Sequence, residues 1–541
     1  MAGDHPPLQR NAPGRPNFLF IITDQHRARD LGCYGNQIVA TPHIDALAQQ
    51  AVVMDRAYVA SPACMPNRST LMTGRMPSLH GVRSNGIALS LDAVTFPRLL
   101  AAAGYRTAMV GKSHLQNFTG LKALVSRHDL REGQAPPPPA LAEARDRAPG
   151  DYLQEDLRRW REDDGFELQV PFYGFDGVDL AIGHGDEVDG HYGRWLRSRA
   201  PELDAQRFGP PGRRGPGLAL VQSWETPLPE ELHPTRWVAE RTVSRLEAFA
   251  RQPQQPFFLY CSFPDPHHPF TPPGRYRGLY APGDIPLPES WHQADKPAHL
   301  AWLHAQRDAG QAVKHTPALY ACTEAEAREA TALTYGLVTM LDDAIGSVLQ
   351  ALERTGLHEN TVVVFTTDHG EYLGEHQLML KGPLHYDCLI RTPLIWRDPQ
   401  RPGAGRRSDA LAGTLDLART VLDRAGVAPA NGMQGCSLLP LLRGESGPVH
   451  QALLVEDEVQ RTFLGFDRPV RVRTLVTRRH RLSIYDAAGW GELYDLEEDP
   501  HELRNLWADC GHARTRADLT EVLARCMLDL ADRSPLPTHL A

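Results

Sequence analysis

The sequence predicts an α/β fold: a large, mostly parallel sheet sandwiched by helices, with a smaller C-terminal α+β subdomain containing an antiparallel sheet. Three observations predict it. Short continuous apolar runs recur at residues 17–23 (NFLFIIT), 256–262 (PFFLYCS) and 361–366 (TVVVFT). Continuous rather than alternating apolar sequence marks strands covered on both faces, as in parallel sheets. Stretches of helical periodicity separate the runs, and each run ends in polar residues, at the carboxyl end of the strand, where open α/β sheets bind ligands.

Taken in order, residues 1–16 form a polar, proline-rich tail, and the strand at 17–23 runs straight into Asp24. Residues 44–52 and 95–103 read as helices, the second stopped by Gly104, and 107–110 as a short strand ending at Gly111-Lys112. Between about 115 and 235 the pattern loosens into an insertion, with a proline run at 136–139, a Gly/Pro/Arg stretch at 208–217 and one candidate strand at 177–182. Helical periodicity returns at 235–250, through Trp237, Val238, Val243, Leu246 and Phe249, and over the long segment 327–355. The strand at 256–262 leads into Pro266-His267-His268-Pro269, and the strand at 361–366 into Asp368-His369-Gly370. Residues 17–443 thus read as one large domain. From 444 to 541 the character changes: alternation at 452–456, 470–476 and 481–485 predicts the small antiparallel sheet, and 514–530 a terminal helix.

Hydrophobic residues make up 42% of the 541 and charged residues 23%, which suits a globular protein with a large core. A net charge of −9 and the lack of any Lys/Arg run exclude nucleic acid as an expected partner. The first apolar run, 18–22, is too short for a membrane span or a signal-peptide core, so no membrane association and a cytoplasmic location are expected. The eight cysteines show no C-x-x-C spacing and are expected to be free and mostly buried. Only five lysines (Lys112, Lys122, Lys296, Lys314, Lys381) stand among 57 basic residues. An arginine-biased coding sequence accounts for that, and it draws attention to each position where lysine remains.

Residues 61–75 read SPACMPNRSTLMTGR. Pro66 fits the first turn of a helix over 67–73, which would place Cys64 near the positive end, where an anion is favoured. A lone cysteine is otherwise an ordinary small core residue. Asp24-Gln25 and Asp368-His369 stand at equivalent places, each directly after a buried strand. Either pair alone reads as a turn or helix cap; two such pairs at equivalent places, with Cys64, are harder to read that way.

C-x-P-x-R followed by S-x-x-x-T-G-R, from Cys64 to Arg75, resembles the signature of the type I, formylglycine-dependent sulfatases of the alkaline phosphatase superfamily. The resemblance runs from Asp24 through Lys381, with a further similar stretch, GELYDLEEDPHELRNL, at 491–506. It implies an alkaline phosphatase-like domain in which Cys64 is oxidised by a formylglycine-generating enzyme that reads C-x-P-x-R in the unfolded chain. One hydroxyl of the hydrated aldehyde attacks sulfur to give a sulfo-enzyme hemiacetal; the second, once deprotonated, expels sulfate, which a serine could not do. Arg68 would stabilise the deprotonated diol. One divalent cation, Ca²⁺ or Mn²⁺, would sit on Asp24, Gln25, Cys64, Asp368 and His369. Asp-Gln departs from the commoner two acids and resembles the branch that includes phosphonate monoester hydrolases.

By the same resemblance Lys112, in G-K-S-H, would bind sulfate and the diol, and His114 would take the proton that triggers collapse of the hemiacetal. Phosphonate monoester hydrolases carry Tyr and Thr at these two places, so Lys-x-His favours sulfate monoesters. His267, in P-H-H-P, would contact sulfate and the leaving-group oxygen, with His268 its neighbour. Lys381 would assist departure. Asn85 reads as a turn residue or a site residue, and His184 and His191, in GHGDEVDGHY, as pocket wall or self-bonded loop. The expected activity is hydrolysis of a small alkyl or aryl sulfate ester; the alternatives are a phosphonate monoester or phosphodiester hydrolase, and a catalytically silent binding protein. Homo-oligomerisation is left open.

Overall fold

The computed structural model describes residues 15–121, 133, 148–208, 215–294, 296–316, 318–401, 403, 405–445, 447–462 and 464–534. The proline run at 136–139, most of the tail and most of the 208–217 stretch lie outside them. The strands, in chain order, are Asn17–Thr23 (β1), Val52–Tyr58 (β2), Arg106–Gly111 (β3), Gly177–Ile182 (β4), Asp189–Gly190 (β5), Phe257–Ser262 (β6), Tyr320–Ala321 (β7), Thr361–Thr367 (β8), Leu378–Met379 (β9), Arg391–Arg397 (β10), Arg406–Gly413 (β11), Ala452–Glu458 (β12), Arg471–Thr477 (β13), His480–Tyr485 (β14) and Gly491–Asp495 (β15).

Nine strands form a mixed sheet in the order β11-β2-β10-β8-β1-β6-β3-β4-β5. Its centre is parallel: β1 pairs with β8 and β6, and β3 with β6 and β4. β10 runs antiparallel between β8 and β2, and β5 is antiparallel at the far edge. Side chains of β1 alternate between two cores. Phe18, Phe20 and Ile22 face one cluster, while Leu19 and Ile21 face the other. The first face packs on helices Cys64–Thr73, Phe96–Ala102 and Thr414–Ala425, the second on Pro42–Gln49, Pro234–Ala250 and Glu324–Arg354. The last is apolar over a span's length, yet 78% of its most apolar window is buried inside the protein, as befits a core helix. Burial of both faces is what the continuous apolar runs required.

Several expectations need correction. The helix expected at 44–52 ends at Gln49, and Val52 opens β2. β2, β10, β11 and β15 were not anticipated. The helix expected to start after Pro66 starts at Cys64 itself. All eight cysteines are free, but only Cys64, Cys261, Cys322 and Cys388 are buried, and Cys436 and Cys510 are exposed.

The second sheet, β12-β13-β14-β15, is wholly antiparallel. Helix Ala513–Asp529 packs on it through Leu523. This unit touches the segment around Cys64. The Glu456 N–H donates to the Ala60 carbonyl (2.8 Å), and the Glu456 carboxylate accepts from Ser78 N–H (2.8 Å).

The end of β3 depends on a glycine. Gly111 has φ +102°, and a Cβ there would lie 1.8 Å from the Ser262 carbonyl oxygen on the paired strand β6. That same carbonyl accepts the Lys112 N–H at 2.9 Å. Gly111→Ala is therefore expected to destabilise the fold by about 3 kcal/mol, combining left-handed strain with a backbone clash; chemical denaturation of the purified variant measures it.

Candidate active site

Four neighbouring parallel strands, β8, β1, β6 and β3, end side by side and deliver Asp368-His369, Asp24-Gln25, the 262–268 loop and Lys112 to one place. The helix Cys64–Thr73 points its first residue at them, and all ten of its residues are buried. Asn85 lies at this helix start: its Oδ1 accepts the Met65 N–H at 3.0 Å, satisfying one of the open N–H groups of the first turn.

Asp24 and Asp368 are fully buried, and one guanidinium spans them. Arg68 Nε donates to Asp368 Oδ2 (2.8 Å) and its NH2 group to Asp24 Oδ2 (3.2 Å). NH1 donates to Ser262 Oγ (2.9 Å) and the Lys112 carbonyl (3.2 Å). Lys112 Nζ donates to Asp24 and lies 2.6 Å from His184 Nε2. Burial pushes the Asp24 carboxyl up, but Lys112 and Arg68 outweigh it and hold it well below the usual carboxylate range.

The Cys64 sulfur is buried at the head of its helix. It lies 3.1 Å from His369 Nε2 and 3.1 Å from Lys381 Nζ. Burial pushes the thiol up; Lys381, helped by His369 and Lys112, brings the balance below the ordinary thiol value despite Asp24. The Lys381 ammonium is shared among four acceptors: Gln25 Oε1 (2.8 Å), His267 Nε2 (3.0 Å), Cys64 Sγ and His369 Nε2 (3.2 Å).

Asp24, Cys64, Asp368 and His369 bring one donor atom each to within 4.8 Å of one another, all buried. Two carboxylates, an imidazole and a thiol sulfur suit a borderline divalent cation, so the residues present fit a metal. Gln25 has φ +58°, in the left-handed region, and its N–H donates to Asp368 Oδ1 at 3.0 Å. Gly370 lets the chain turn after His369, because a Cβ there would lie 2.0 Å from the Cys388 carbonyl.

The His267 and His184 rings stack at 3.6 Å with a 13° tilt. His114, also left-handed at φ +57°, packs against Phe118 (4.6 Å) and His184 (6.2 Å), and its buried Nδ1 has no hydrogen-bond partner among the described residues. Burial, then Lys112, pushes both His114 and His184 well below the usual imidazole value; for His267 the causes are burial, then His184 and Lys381. These rings are therefore neutral near pH 7.

Of the residues singled out in the sequence, His191 is the one brought elsewhere. Its Nδ1 accepts the Leu180 N–H (2.9 Å) and its ring packs on Trp160 (4.7 Å), so it braces the sheet edge rather than lining the site. Three groups at the site were missed. Glu371 accepts from Gln25 Nε2, and its place right after Asp-His-Gly was a usable signal. Glu155 receives the backbone N–H groups of His114, Leu115 and Gln116 at 2.8–3.0 Å, holding the loop after β3; nothing in the loose insertion marked it. Ser262 Oγ, the Arg68 partner, was hidden at the end of an apolar run.

The family model described as Sulfatase matches residues 16–139 and 194–427, and that for N-sulphoglucosamine sulphohydrolase, C-terminal, matches 374–529. The gap between the two matched sulfatase segments is narrower than the insertion expected at 115–235. An uncharacterized sulfatase, YidJ, of Escherichia coli (strain K12) is 29% identical over 96% of this chain and 88% of its own length. An arylsulfatase of Clostridium perfringens is 26% identical, over 91% and 90%. In fold, the chain is similar to the crystal structure of the phosphonate monoester hydrolase of Agrobacterium radiobacter: TM-score 0.73, 24% identity, 97% of this chain and 98% of that one. The chain belongs to the sulfatase family, sulfuric ester hydrolases with the alkaline phosphatase-like fold.

Proposed function

We propose that this sulfatase hydrolyses a small alkyl or aryl sulfate monoester, with residue 64 working as formylglycine. The observation that carries the reading is the set of nitrogen groups around Cys64: Lys381 and His369 touch its sulfur, while Lys112, His184 and His267 adjoin them. Such a set receives a compact tetrahedral anion. Lys112 and Lys381 neutralise sulfate oxygens, and the Lys381 ammonium, beside the neutral His267 that accepts from it, is fit to donate to the leaving-group oxygen. His114, neutral and with a free ring nitrogen among the described residues, is fit to accept the proton whose removal frees sulfate. Arg68 keeps Asp24 and Asp368 paired and aimed.

The aldehyde hydrate at position 64 supplies the attacking oxygen and a second hydroxyl for release. One divalent cation, Ca²⁺ or Mn²⁺, would be held by Asp24, Gln25, Asp368 and His369 with residue 64, and supplies positive charge that polarises the ester and acidifies the nucleophile. The net charge of −9 supports a small substrate over a polyanionic polymer. A formylglycine-generating enzyme as maturation partner and a cytoplasmic location belong to the same proposal. Gln25, where many sulfatases carry a second acid, favours a second reading: a phosphonate monoester or phosphodiester hydrolase.

Enzyme whose residue 64 is verified as the aldehyde by mass spectrometry is expected to show a higher kcat/KM for an aryl sulfate than for any phosphonate monoester or phosphodiester. The reverse order would install the second reading. His114→Ala is expected to lower kcat by about 10²–10⁴-fold with metal content unchanged. Asp368→Ala is expected to lose the bound cation by elemental analysis; a wild-type metal content would refute the ligand assignment.

A further inference from the structure

We propose that Glu371 is a positioning residue that sets which end of the Gln25 amide faces the cation, making Gln25 and Glu371 a matched pair. The inference rests on the reading of Gln25 as a metal ligand.

A primary amide is nearly symmetric in shape and opposite in polarity at its two ends. Each end of Gln25 meets a group that accepts only one of them. Its Nε2 donates to Glu371 Oε2 and lies 3.3 Å from His268 Nδ1. Its Oε1 receives the Lys381 ammonium at 2.8 Å, and an ammonium can only donate. The backbone end is held as well, through the Gln25 N–H on Asp368 Oδ1 (3.0 Å). Gln25 and Glu371 are both buried at 3% exposure. A flipped amide would set its oxygen against the Glu371 carboxylate and its NH₂ against Lys381, two repulsive contacts out of reach of water. The oxygen is therefore the end offered to the site.

Glu371 binds Gln25 through one carboxylate oxygen. Its other oxygen accepts the Leu373 N–H (3.3 Å), and it forms no ion pair among the described residues. Its hydrogen bond into the site is the one it accepts from Gln25 Nε2. The same geometry explains the departure from two acids: a carboxylate at position 25 would meet the buried Glu371 carboxylate head on.

The test is calorimetric titration of Mn²⁺ alone into the metal-stripped full chain, for wild type, Gln25→Ala, Glu371→Gln and the double variant. Glu371→Gln can turn its own amide either way and releases the constraint, so Mn²⁺ affinity is expected to fall about 10–100-fold, the usual range for a residue that orients a ligand. In the Gln25→Ala background the same substitution is expected to change affinity less than about twofold, because the contact it serves is already gone. The proposal is overturned if Glu371→Gln alone binds Mn²⁺ like wild type, or if the two losses multiply in the double variant. If Glu371→Gln fails to fold, Glu371→Asp replaces it. The shorter carboxylate keeps the charge and loses reach, so affinity is expected to fall roughly tenfold, and unchanged affinity overturns the proposal. Wild-type Mn²⁺ affinity in Gln25→Ala would sink the ligand assignment and this inference with it. A weakened Gln25→Ala beside an unaffected Glu371→Gln sinks this inference alone.

Discussion

Asp24 and Asp368 stand at the ends of adjacent strands with no exposed side-chain surface, and the guanidinium of Arg68 lies across both. Taking two carboxylates out of water costs several kcal/mol each, and a buried pair is tolerable only with close geometry and further hydrogen bonds. Arg68 meets both conditions with its planar fork, as a lysine in its place could not. Its remaining donors go to Ser262 Oγ and the Lys112 carbonyl, so one side chain ties the ends of β1, β3, β6 and β8 together. The helix that carries it must then sink entirely into the protein. Cys64 sits at its first residue, and the other groups of the site are arranged around that point.

The charge balance follows from the same arrangement. Arg68 and Lys112 offset Asp24 and Asp368 on one side of Cys64, while Lys381 reaches in from the other through the loop after β9. His114, His184 and His267 are kept neutral by burial and by neighbouring positive groups. The site therefore presents positive charge from lysine and arginine, and proton-accepting capacity from imidazole, without one group having to provide both.

The centre of the fold was legible because β1, β6 and β8 are covered on both faces and so carry unbroken apolar sequence. The strands that escaped notice break that rule for physical reasons. β10 contains Pro393 at an irregularity in its pairing with β2, where the register shifts between Thr392 and Leu394, a position at which a missing N–H is tolerated. β11 is an outer strand whose first half alternates in burial and holds two arginines. β2 carries Asp55 and Arg56, both half-buried. Of the site, residues that directly follow buried strands could be read from order alone. Glu155 could not, because it reaches the loop after β3 from a segment with no periodicity, and its three N–H partners are backbone groups that leave no trace in sequence. His184 and His191 looked equivalent in one short motif. The chain reverses between them, at β5, and sends only the first toward Lys112.

Cys64 is 1% exposed, at the head of a helix with no exposed residue. The partner that closes over its sulfur, His369, follows it by 305 residues. At about 5–20 residues per second of synthesis, that separation is an interval of about 15–60 s. Through that interval strand β8, which seals the segment around Cys64, is not yet complete. If residue 64 matures as proposed, the chain's own order sets a clock for it, and a thiol still unconverted when β8 docks is enclosed as a thiol.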